Sequence, residues 1–395
     1  MKHSCPGNAD QAPARLLLVV NSAEFFLSHR LRVAIEAQKA GFEVHIATPP
    51  GDGIGKIRSA GFIHHEFSLS RSGRDILAEL GSLISLCRLF RSVRPDIVHL
   101  VTIKPVLYGG IAAQLAGVPS MVAAVSGMGF VFLAQGGLAA FRRALVSMLY
   151  RFAFHHKNLK VIFQNDVDRQ SFLRFAGLRP EQTVLIRGSG VELGDYPVKP
   201  LPAGIPSVVM AARLLVDKGV REFVQAARIL RSGNVAVRMR IAGSPDQGNP
   251  TAVTAAELKA WREEELVDFL GYRSDMATVL ADAHMVALPS YREGLPKVLI
   301  EAAASGRAVI TTDVPGCRDA IEAGVTGLLV PAKDAQALAD AIATLVHDPL
   351  RCQAMGAAGR ILAEAEFDVS NVAAEHLKIY RELHAGRSRP LASSP

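Results

Sequence analysis

The sequence predicts an α/β protein with two doubly wound parallel sheets. Its 395 residues exceed the usual size of a single hydrophobic core, so two domains are expected. Short apolar runs alternate with helical patterns in two series, one in each half of the chain. These runs are apolar throughout rather than at every second residue, which is typical of parallel strands covered on both faces.

Each series contains six predicted strands, and helical patterns separate most of them. The first series comprises residues 16–20, 44–48, 97–101, 121–125, 161–164 and 183–187. The second comprises residues 208–213, 238–243, 266–271, 284–289, 308–312 and 327–331.

A stretch rich in glycine and proline, RGSGVELGDYPVKPLPAGIPS (187–207), interrupts the alternation and indicates an interdomain linker. We therefore expect two Rossmann-like domains that face a central cleft, where ligands bind beyond the carboxyl ends of the strands. The expected division is a first domain over 1–190, a linker over 191–206, a second domain over 207–367, a helix over 368–386 that packs back on the first domain, and a disordered tail over 387–395.

The charge of the chain is unevenly distributed. The formal net charge is +7, and no acidic residue occurs between Asp96 and Asp166. The basic residues of that stretch are Lys104, Arg142, Arg143, Arg151, Lys157 and Lys160. This pattern predicts a polyanionic partner, which could be a membrane surface, a nucleic acid or a phosphorylated substrate. The nucleic acid is disfavoured because no basic face with interleaved aromatic residues and no known binding module is present.

The segment LAAFRRALVSMLYRFAFHHKNLK (138–160) predicts a cationic amphipathic helix from Leu138 to about His156. Its apolar residues recur every three or four positions, at Leu138, Phe141, Leu145, Leu149 and Phe152. Such a helix can lie in an anionic membrane interface, with Arg142, Arg143 and Arg151 at the headgroups. The alternative is a core helix with a solvated basic face. A membrane-spanning helix within 105–141 is disfavoured because glycines interrupt this uncharged stretch.

The four cysteines and the N-terminus both favour a cytoplasmic protein. No cysteine pair has the spacing of a metal site or of a thioredoxin-like motif, so reduced thiols are expected. The run RLLLVVNS near the N-terminus has too few apolar residues for a signal peptide.

Three loops of the second half follow predicted strands and carry residues suited to a nucleotide. Arg213 and Lys218 could neutralise a diphosphate, although solvated basic residues at a helix start are the alternative. Gly243, in RIAGSPD, allows the backbone to approach a ligand closely. Tyr272 lies in a further loop after a strand. None of these three patterns is specific by itself.

The stretch SYREGLPKVLIEAAASG (290–306) places one acid before a helix and another within it. Gly294, Leu295 and Pro296 begin the helix, whose free backbone amides form an anion site. Glu301 lies about 7–8 Å further along the helix axis. Glu301 could accept hydrogen bonds from ribose hydroxyls, and Glu293 from hydroxyls of a sugar. The two acids would then hold opposite ends of one ligand.

These motifs resemble glycosyltransferase family 4. Glu293 and Glu301 match the E-x7-E motif of retaining GT-B glycosyltransferases, and ARLLVDKGV (212–220) matches the Arg-Lys phosphate pair of that family. The similarity extends from about 207 to 345. It implies a GT-B fold and a donor site formed by Arg213, Lys218, Gly243, Tyr272, Gly294, Leu295, Pro296 and Glu301.

The first half resembles bacterial enzymes that build O-antigen, capsule or N-glycan saccharides on undecaprenyl diphosphate. The similar segments are NSAEFFLSHRLRVA (21–34), HLVTIKPVLYGG (99–110) and SGMGFVF (126–132). The sequence NSAEFF departs from the Gly-Gly loop that many members carry after the first strand, so phosphate contacts from that loop are not implied.

The resemblance implies retaining transfer of a sugar, an N-acetylhexosamine, from a UDP-sugar to an undecaprenyl-diphosphate-linked saccharide. The enzyme would act at the cytoplasmic face of the bacterial plasma membrane without a metal ion. The implied catalytic residues are Glu293, Lys104 and His99, and the implied acceptor-binding residues are His29, Arg30, Gly127 and Gly129. For His99 the alternative is a core histidine. The alternative function is a nucleotide-sugar epimerase or phosphorylase of the same fold.

Asp166 and Asp168 form a D-x-D pattern that other glycosyltransferases use to bind a metal ion. We interpret it as a helix start instead, because Asn165 or Asp166 can cap the helix that follows the strand. Arg213, Lys218 and the helix amides already supply positive charge for a leaving diphosphate.

Overall fold

The computed structural model describes residues 12–70, 75–127, 137–246, 249 and 251–386. These residues form two compact units. The first unit includes the described residues within Met1–Ala124, Ala144–Val161 and Ala373–Pro395, and the second includes those within Val125–Arg143 and Ile162–Val372. The expected disordered tail lies outside the described residues, and the predicted domain limits remain a prediction.

The first sheet has seven strands in the order β3-β2-β1-β4-β5-β6-β7. They are β1 (Arg15–Val19), β2 (Glu43–Thr48), β3 (Ile63–Glu66), β4 (Ile97–Val101), β5 (Ser120–Val125), β6 (Leu159–Phe163) and β7 (Thr183–Leu185). The ladders that join β3, β2, β1, β4 and β5 are parallel. The helices are α1 (Ala23–His29), α2 (Leu31–Lys39), α3 (Ile54–Ser59), α4 (Ile76–Val93), α5 (Ile103–Ala116), α6 (Gly137–Ala153) and α7 (Asp166–Ala176).

The second sheet has six parallel strands in the order β10-β9-β8-β11-β12-β13. They are β8 (Ser207–Ala211), β9 (Arg238–Ala242), β10 (Val267–Gly271), β11 (Met285–Leu288), β12 (Ala308–Thr312) and β13 (Gly327–Val330). The helices are α8 (Val220–Ser232), α9 (Ala255–Glu263), α10 (Met276–Ala281), α11 (Lys297–Ala304), α12 (Ala335–His347), α13 (Pro349–Glu366) and α14 (Val369–Ala385). From Ala373 onward, α14 belongs to the first unit.

The order of the strands reverses direction once in each sheet, between β1 and β4 and between β8 and β11. Open α/β sheets bind ligands at such switch points, beyond the carboxyl ends of the strands. In the second sheet these ends continue into residues 212–219 and 289–296. The two motifs singled out in the sequence therefore follow neighbouring strands of one sheet.

All twelve predicted strands are confirmed, with shifts of a few residues at their ends. The structure adds β3, whose sequence IHHE was not predicted as a strand. This strand lies at the edge of the sheet, where a strand needs fewer apolar residues because one side has no neighbour. His64 and His65 occupy the centre of this strand, so it lacks the continuous apolar run by which the other strands were predicted.

Helix α6 was predicted to extend from Leu138 to about His156, and it ends earlier, at Ala153. Among the described residues, no helix combines the length and the hydropathy that a membrane span requires. Cys87, Cys317 and Cys352 are free thiols in the interior.

Candidate active site

A cavity of about 350 Å³ opens at the carboxyl ends of β8, β9 and β10. Four of the predicted donor-binding residues line it, namely Arg213, Gly243, Tyr272 and Glu301. Its volume falls within the range of small-molecule sites, which is about 300–1,000 Å³. Arg213 and Glu301, which are 88 positions apart in the sequence, therefore line the same cavity.

Gly243 is required by close packing at the floor of this cavity. A Cβ atom at this position would overlap the carbonyl oxygen of Ala212. The chain turns away from β9 here, while the neighbouring strand end passes directly beside it. The absence of a side chain lets the ends of β8 and β9 pack closely together.

Arg213 forms an ion pair with Asp246 across the mouth of the cavity, with 2.6 Å between Nη1 and Oδ2. The guanidinium remains largely exposed, at 61% of its side-chain surface. An exposed ion pair contributes little to stability, so Arg213 can exchange Asp246 for another anion at small cost. Asp246 was not singled out in the sequence.

Glu301 lies on α11 and is almost fully buried. Its Oε1 accepts a hydrogen bond from the hydroxyl of Tyr196 at 2.8 Å and contacts the Lys297 ammonium at 3.0 Å. Burial and the charge of Glu301 raise the pKa of Tyr196, which therefore remains a protonated donor. Tyr196 orients the carboxylate from the segment between β7 and β8.

Lys218 and Glu293 form an ion pair in the second unit. The Glu293 carboxylate also lies 2.6 Å from the hydroxyl of Ser290. Both charged side chains are mostly buried, at 18% and 11% exposed. The structure thus brings a predicted phosphate-binding residue against the predicted catalytic carboxylate, a contact that the sequence did not suggest.

Backbone geometry fixes Lys218 at the end of a short turn. Gly219 follows with φ +76°, and a Cβ atom there would overlap the carbonyl of Pro289. Only glycine adopts this conformation without cost, and only glycine leaves room for the loop after β11. The loops that carry Lys218 and Glu293 are therefore packed backbone to backbone.

The segment before α11 differs in one detail from the prediction. Pro296 was expected at the first helical position, but it occupies the N-cap, and the helix begins at Lys297. Gly294 and Leu295 are buried before it, and Leu295 packs against the backbone of Gly188. Only the backbone of Leu295 could therefore contact a donor.

The interpretation of the D-x-D pattern as a helix start is confirmed. The Asn165 side chain accepts a hydrogen bond from the backbone amide of Asp168 at 2.8 Å and so caps α7. Asp168 is buried and pairs with Arg292, whereas Asp166 is exposed.

In the first unit, Lys104 is engaged in internal contacts. Its ammonium lies 2.8 Å from Oε1 of Glu79 and 2.6 Å from the carbonyl oxygen of Ser70. Burial raises the pKa of Glu79, but hydrogen bonds from Lys104 and Tyr108 outweigh this effect and lower it. In this arrangement Lys104 neutralises a carboxylate of its own unit.

His99 and Arg30 belong to a buried cluster beside α14. His99 is fully buried, and its Nδ1 lies 2.7 Å from the hydroxyl of Tyr380. Burial lowers the pKa of His99 well below its ordinary value and lowers the pKa of Arg30 to about 10. These positions favour the alternative interpretation of His99 as a core histidine, and burial likewise removes Arg30 from contact with an acceptor.

The remaining predicted residues are placed as follows. His29 stacks on Phe25 and lies 2.7 Å from the Ser28 hydroxyl. Gly127 has φ +124° and lies beside Gly294. Gly129 and the side chain of Arg142 lie outside the described residues. Among the side chains of α6 that the structure describes, the exposed large apolar ones are Leu145, Met148 and Phe152.

Comparison with known protein families agrees with this geometry. Residues 15–165 match the model of the family described as glycosyl transferase 4-like, and residues 205–348 match the model described as glycosyl transferases group 1. The first match includes β1 to β6 of the first sheet, and the second includes all six strands of the second sheet. The chain thus consists of a glycosyl transferase 4-like domain and a glycosyl transferases group 1 domain. The resemblance inferred from the E-x7-E motif and the Arg-Lys pair is confirmed.

Two relatives of this glycosyltransferase act on lipid-linked sugars, according to their names. An N,N'-diacetylbacillosaminyl-diphospho-undecaprenol α-1,3-N-acetylgalactosaminyltransferase of Campylobacter jejuni is 29% identical over 86% of this chain and 90% of its own. An Escherichia coli UDP-Gal:α-D-GlcNAc-diphosphoundecaprenol α-1,3-galactosyltransferase is 26% identical over 69% of this chain and 72% of its own.

Solved structures confirm the fold of this glycosyltransferase. A sucrose-phosphate synthase from Thermosynechococcus elongatus has a TM-score of 0.79 at 21% identity and covers 94% of this chain and all of its own. Anabaena HepE in complex with UDP-glucose has a TM-score of 0.74 at 21% identity and covers 92% of this chain and 99% of its own.

Proposed function

We propose that this glycosyltransferase moves an N-acetylhexosamine from a UDP-sugar to an undecaprenyl-diphosphate-linked saccharide, with retention of the anomeric configuration. The reaction would serve cell-surface polysaccharide or glycan synthesis on the cytoplasmic face of the bacterial plasma membrane. The observation that carries the proposal is the convergence of Arg213, Gly243, Tyr272 and Glu301 on one cavity. The two relatives named for undecaprenol-linked acceptors support the acceptor class.

The cavity suits the nucleotide end of such a donor. Tyr272 offers an exposed aromatic ring for a base, and Glu301 offers a carboxylate oriented by Tyr196 for the ribose hydroxyls. Arg213 at the mouth can form two parallel hydrogen bonds to a phosphate once it leaves Asp246.

Lys218 and Glu293 suit the reacting end. Departure of UDP places negative charge on the leaving diphosphate, and a preorganised ammonium stabilises that charge. Lys218 is held near its place by Glu293, and an incoming diphosphate would compete for the same ammonium. The released carboxylate could then accept hydrogen bonds from the sugar hydroxyls. Both groups act by position and charge, and no metal ion is required by this scheme.

A basic apolar surface suits a membrane-bound acceptor. Helix α6 exposes Leu145, Met148 and Phe152 at spacings of three and four, next to Arg151. Apolar side chains of this kind enter the lipid interface, and arginine side chains contact anionic headgroups. Helix α4 also exposes Leu77 and is the second candidate for this contact.

A panel of UDP-sugars and short-chain polyprenyl diphosphate saccharides tests the proposal. We expect UDP release that depends on both one donor and one lipid acceptor, and a product whose anomeric signal in NMR matches the donor configuration. UDP release without any acceptor would favour an epimerase, and release that requires inorganic phosphate would favour a phosphorylase. An inverted product would remove the retaining assignment and leave the transfer itself intact.

A further inference from the structure

The start of α7 contacts the loop that carries Glu293 at two points. Arg292, the preceding residue, forms an ion pair with Asp168. Gly294, the following residue, accepts a hydrogen bond at its carbonyl oxygen from Nδ2 of Asn165 at 2.8 Å. All of these residues lie in the second unit. The residues on both sides of Glu293 are therefore attached to one helix terminus, Arg292 by its side chain and Gly294 by its backbone.

The two residues that make these contacts also fix each other. Oδ1 of Asn165 accepts from the amide of Asp168 at 2.8 Å, and Nδ2 of Asn165 lies 3.1 Å from Oδ2 of Asp168. The Asp168 side chain is 1% exposed, and burial raises its pKa against the opposing effect of Arg292. A buried carboxylate is costly unless it is paired and hydrogen-bonded, so Arg292 and Asn165 stabilise it together.

The loop has little room to adopt another position. A Cβ atom at Gly294 would overlap the carbonyl of Ser126 and the side chain of Gln164. The amide of Glu293 donates to the carbonyl oxygen of Pro315 at 3.2 Å. This packing limits how far Glu293 can shift when either contact with α7 is lost, so any displacement is expected to be small.

We propose that Asp168 and Asn165 are positioning residues for the transfer reaction, which hold Arg292 and Gly294 and thereby aim the Glu293 carboxylate at the donor sugar. The inference rests on the proposed function of Glu293. Neither residue needs to touch the substrate. Shifts of about 0.5 Å are enough to disturb a catalytic arrangement, so residues that only fix the neighbours of Glu293 can still affect the reaction rate. Of the two acids in the D-x-D pattern, only Asp168 has this role, because Asp166 is exposed and makes no contact with Arg292 or Gly294 in the described structure.

Two variants distinguish the contacts of Asp168 and Asn165 with the Glu293 loop, here called the clamp, from the N-cap hydrogen bond of α7. Asp168→Asn removes the negative charge that holds Arg292. Asn165→Ser keeps an N-cap oxygen, because serine caps helices as well as asparagine does, but it removes the donor to Gly294. We expect kcat to fall roughly 10- to 100-fold in both. The Kd for UDP should change less than about threefold, because Arg213, Lys218 and Glu301 retain their contacts. Asp166→Asn, an exposed residue of the same motif, is the matched control and should retain full kcat.

A double-mutant cycle tests whether Asp168 acts through Arg292. We expect Asp168→Asn combined with Arg292→Gln to lose no more kcat than the worse single variant, within about threefold, because contacting residues are not additive. Losses that multiply, or a kcat that is unchanged in Asp168→Asn and Asn165→Ser, would overturn the inference.

Amide hydrogen exchange, measured without substrate, tests whether α7 holds the loop that carries Glu293. Asn165→Ser should speed exchange in a peptide that covers residues 289–296 and leave peptides of β8 and β9 unchanged. Unchanged exchange in the loop would overturn the clamp. If the unmodified enzyme transfers no sugar with any donor and acceptor pair, the proposed function fails separately, and the exchange result still decides whether α7 holds this loop.

Discussion

The predicted site residues of the two units differ in what they contact. In the second unit, Arg213 and Glu301 line one cavity, and Lys218 contacts Glu293. In the first unit, Lys104 pairs with Glu79, and His99 is fully buried. The second-unit residues belong to motifs with a fixed order and spacing after successive strands, whereas the first-unit residues are isolated polar side chains near strand ends or helix starts.

This difference has a topological cause. Residues that follow neighbouring parallel strands reach the same edge of a sheet, so a motif spread over several loops converges there. A single histidine or lysine near a strand end carries no such constraint and can turn towards the interior. We therefore expect second-unit variants to change transfer and first-unit cluster variants to change stability.

The largest effect is expected from the two cations of the second unit. Lys218→Ala and Arg213→Ala should each reduce kcat/KM roughly 30- to 1,000-fold. This is a loss of about 2–4 kcal/mol of transition-state stabilisation, because each variant leaves diphosphate charge uncompensated. Lys218→Ala should be the more severe, since it also leaves Glu293 unpaired. Assays of UDP release measure this, with Arg221→Ala on the exposed surface of α8 as control.

The same assays in EDTA test the metal-independent scheme. Activity should persist after chelation. Near-normal rates in both alanine variants would contradict the phosphate assignment, and complete loss in EDTA would restore a role for a divalent ion.

The affinity for anionic membranes should fall by about two orders of magnitude when three arginines of the first half are replaced by glutamate. Arg142→Glu, Arg143→Glu and Arg151→Glu together should release the enzyme from anionic liposomes, because each basic residue contributes about 1 kcal/mol at such a surface. High salt should have the same effect on the unmodified enzyme. Co-sedimentation is the measurement.

A control of equal charge change lies in the second unit, with Arg231→Glu, Arg238→Glu and Lys259→Glu, and should retain binding. Transfer to a water-soluble acceptor analogue should survive the first triple change. If the triple variant on α6 still binds fully, the contact lies elsewhere, with exposed Leu77 and Leu80 of α4 as the next candidates.

Substitution of the two acids of the motif should affect different quantities, UDP affinity for Glu301 and turnover for Glu293, each by roughly 10- to 150-fold. Glu301→Gln should weaken the affinity for UDP itself, since hydrogen bonds to a charged group contribute about 1.5–3 kcal/mol. Glu293→Gln should lower turnover more than UDP affinity. Calorimetry and steady-state kinetics measure the two effects. Loss of UDP binding in Glu293→Gln alone would mean that the donor lies in the opposite orientation.

The smallest effect is expected in the buried cluster of the first unit. Tyr380→Phe leaves Nδ1 of His99 without its hydroxyl partner and should lower the free energy of unfolding by about 1–3 kcal/mol. The kcat value should remain within about twofold. Denaturant titration alongside kinetics measures both. A tenfold loss of kcat at unchanged stability would assign His99 a role in the reaction after all.

Local pattern was sufficient for most of the fold. Apolar runs such as LLLVV before Asn21 report burial on both faces directly, so strands buried in a sheet were predictable. The edge strand β3 was not predictable in this way, because half-exposed His64 and His65 replace the apolar residues. Four residues of the cavity were also predictable, because Arg213, Gly243 and Tyr272 follow strands of the second sheet and Glu301 belongs to the sequence motif on α11.

By itself, the sequence determined the resemblance to GT-B glycosyltransferases, twelve of the strands and the loops that contain Arg213 and Glu293, because periodicity and motif spacing are properties of neighbouring residues. Only the tertiary structure decided which side chains meet. Tyr196 reaches Glu301 across 105 positions, and Asp168 reaches Arg292 across 124. Contacts at such separations depend on how helices and loops pack around the sheets, and burial of a charged group becomes visible only when its partner is known.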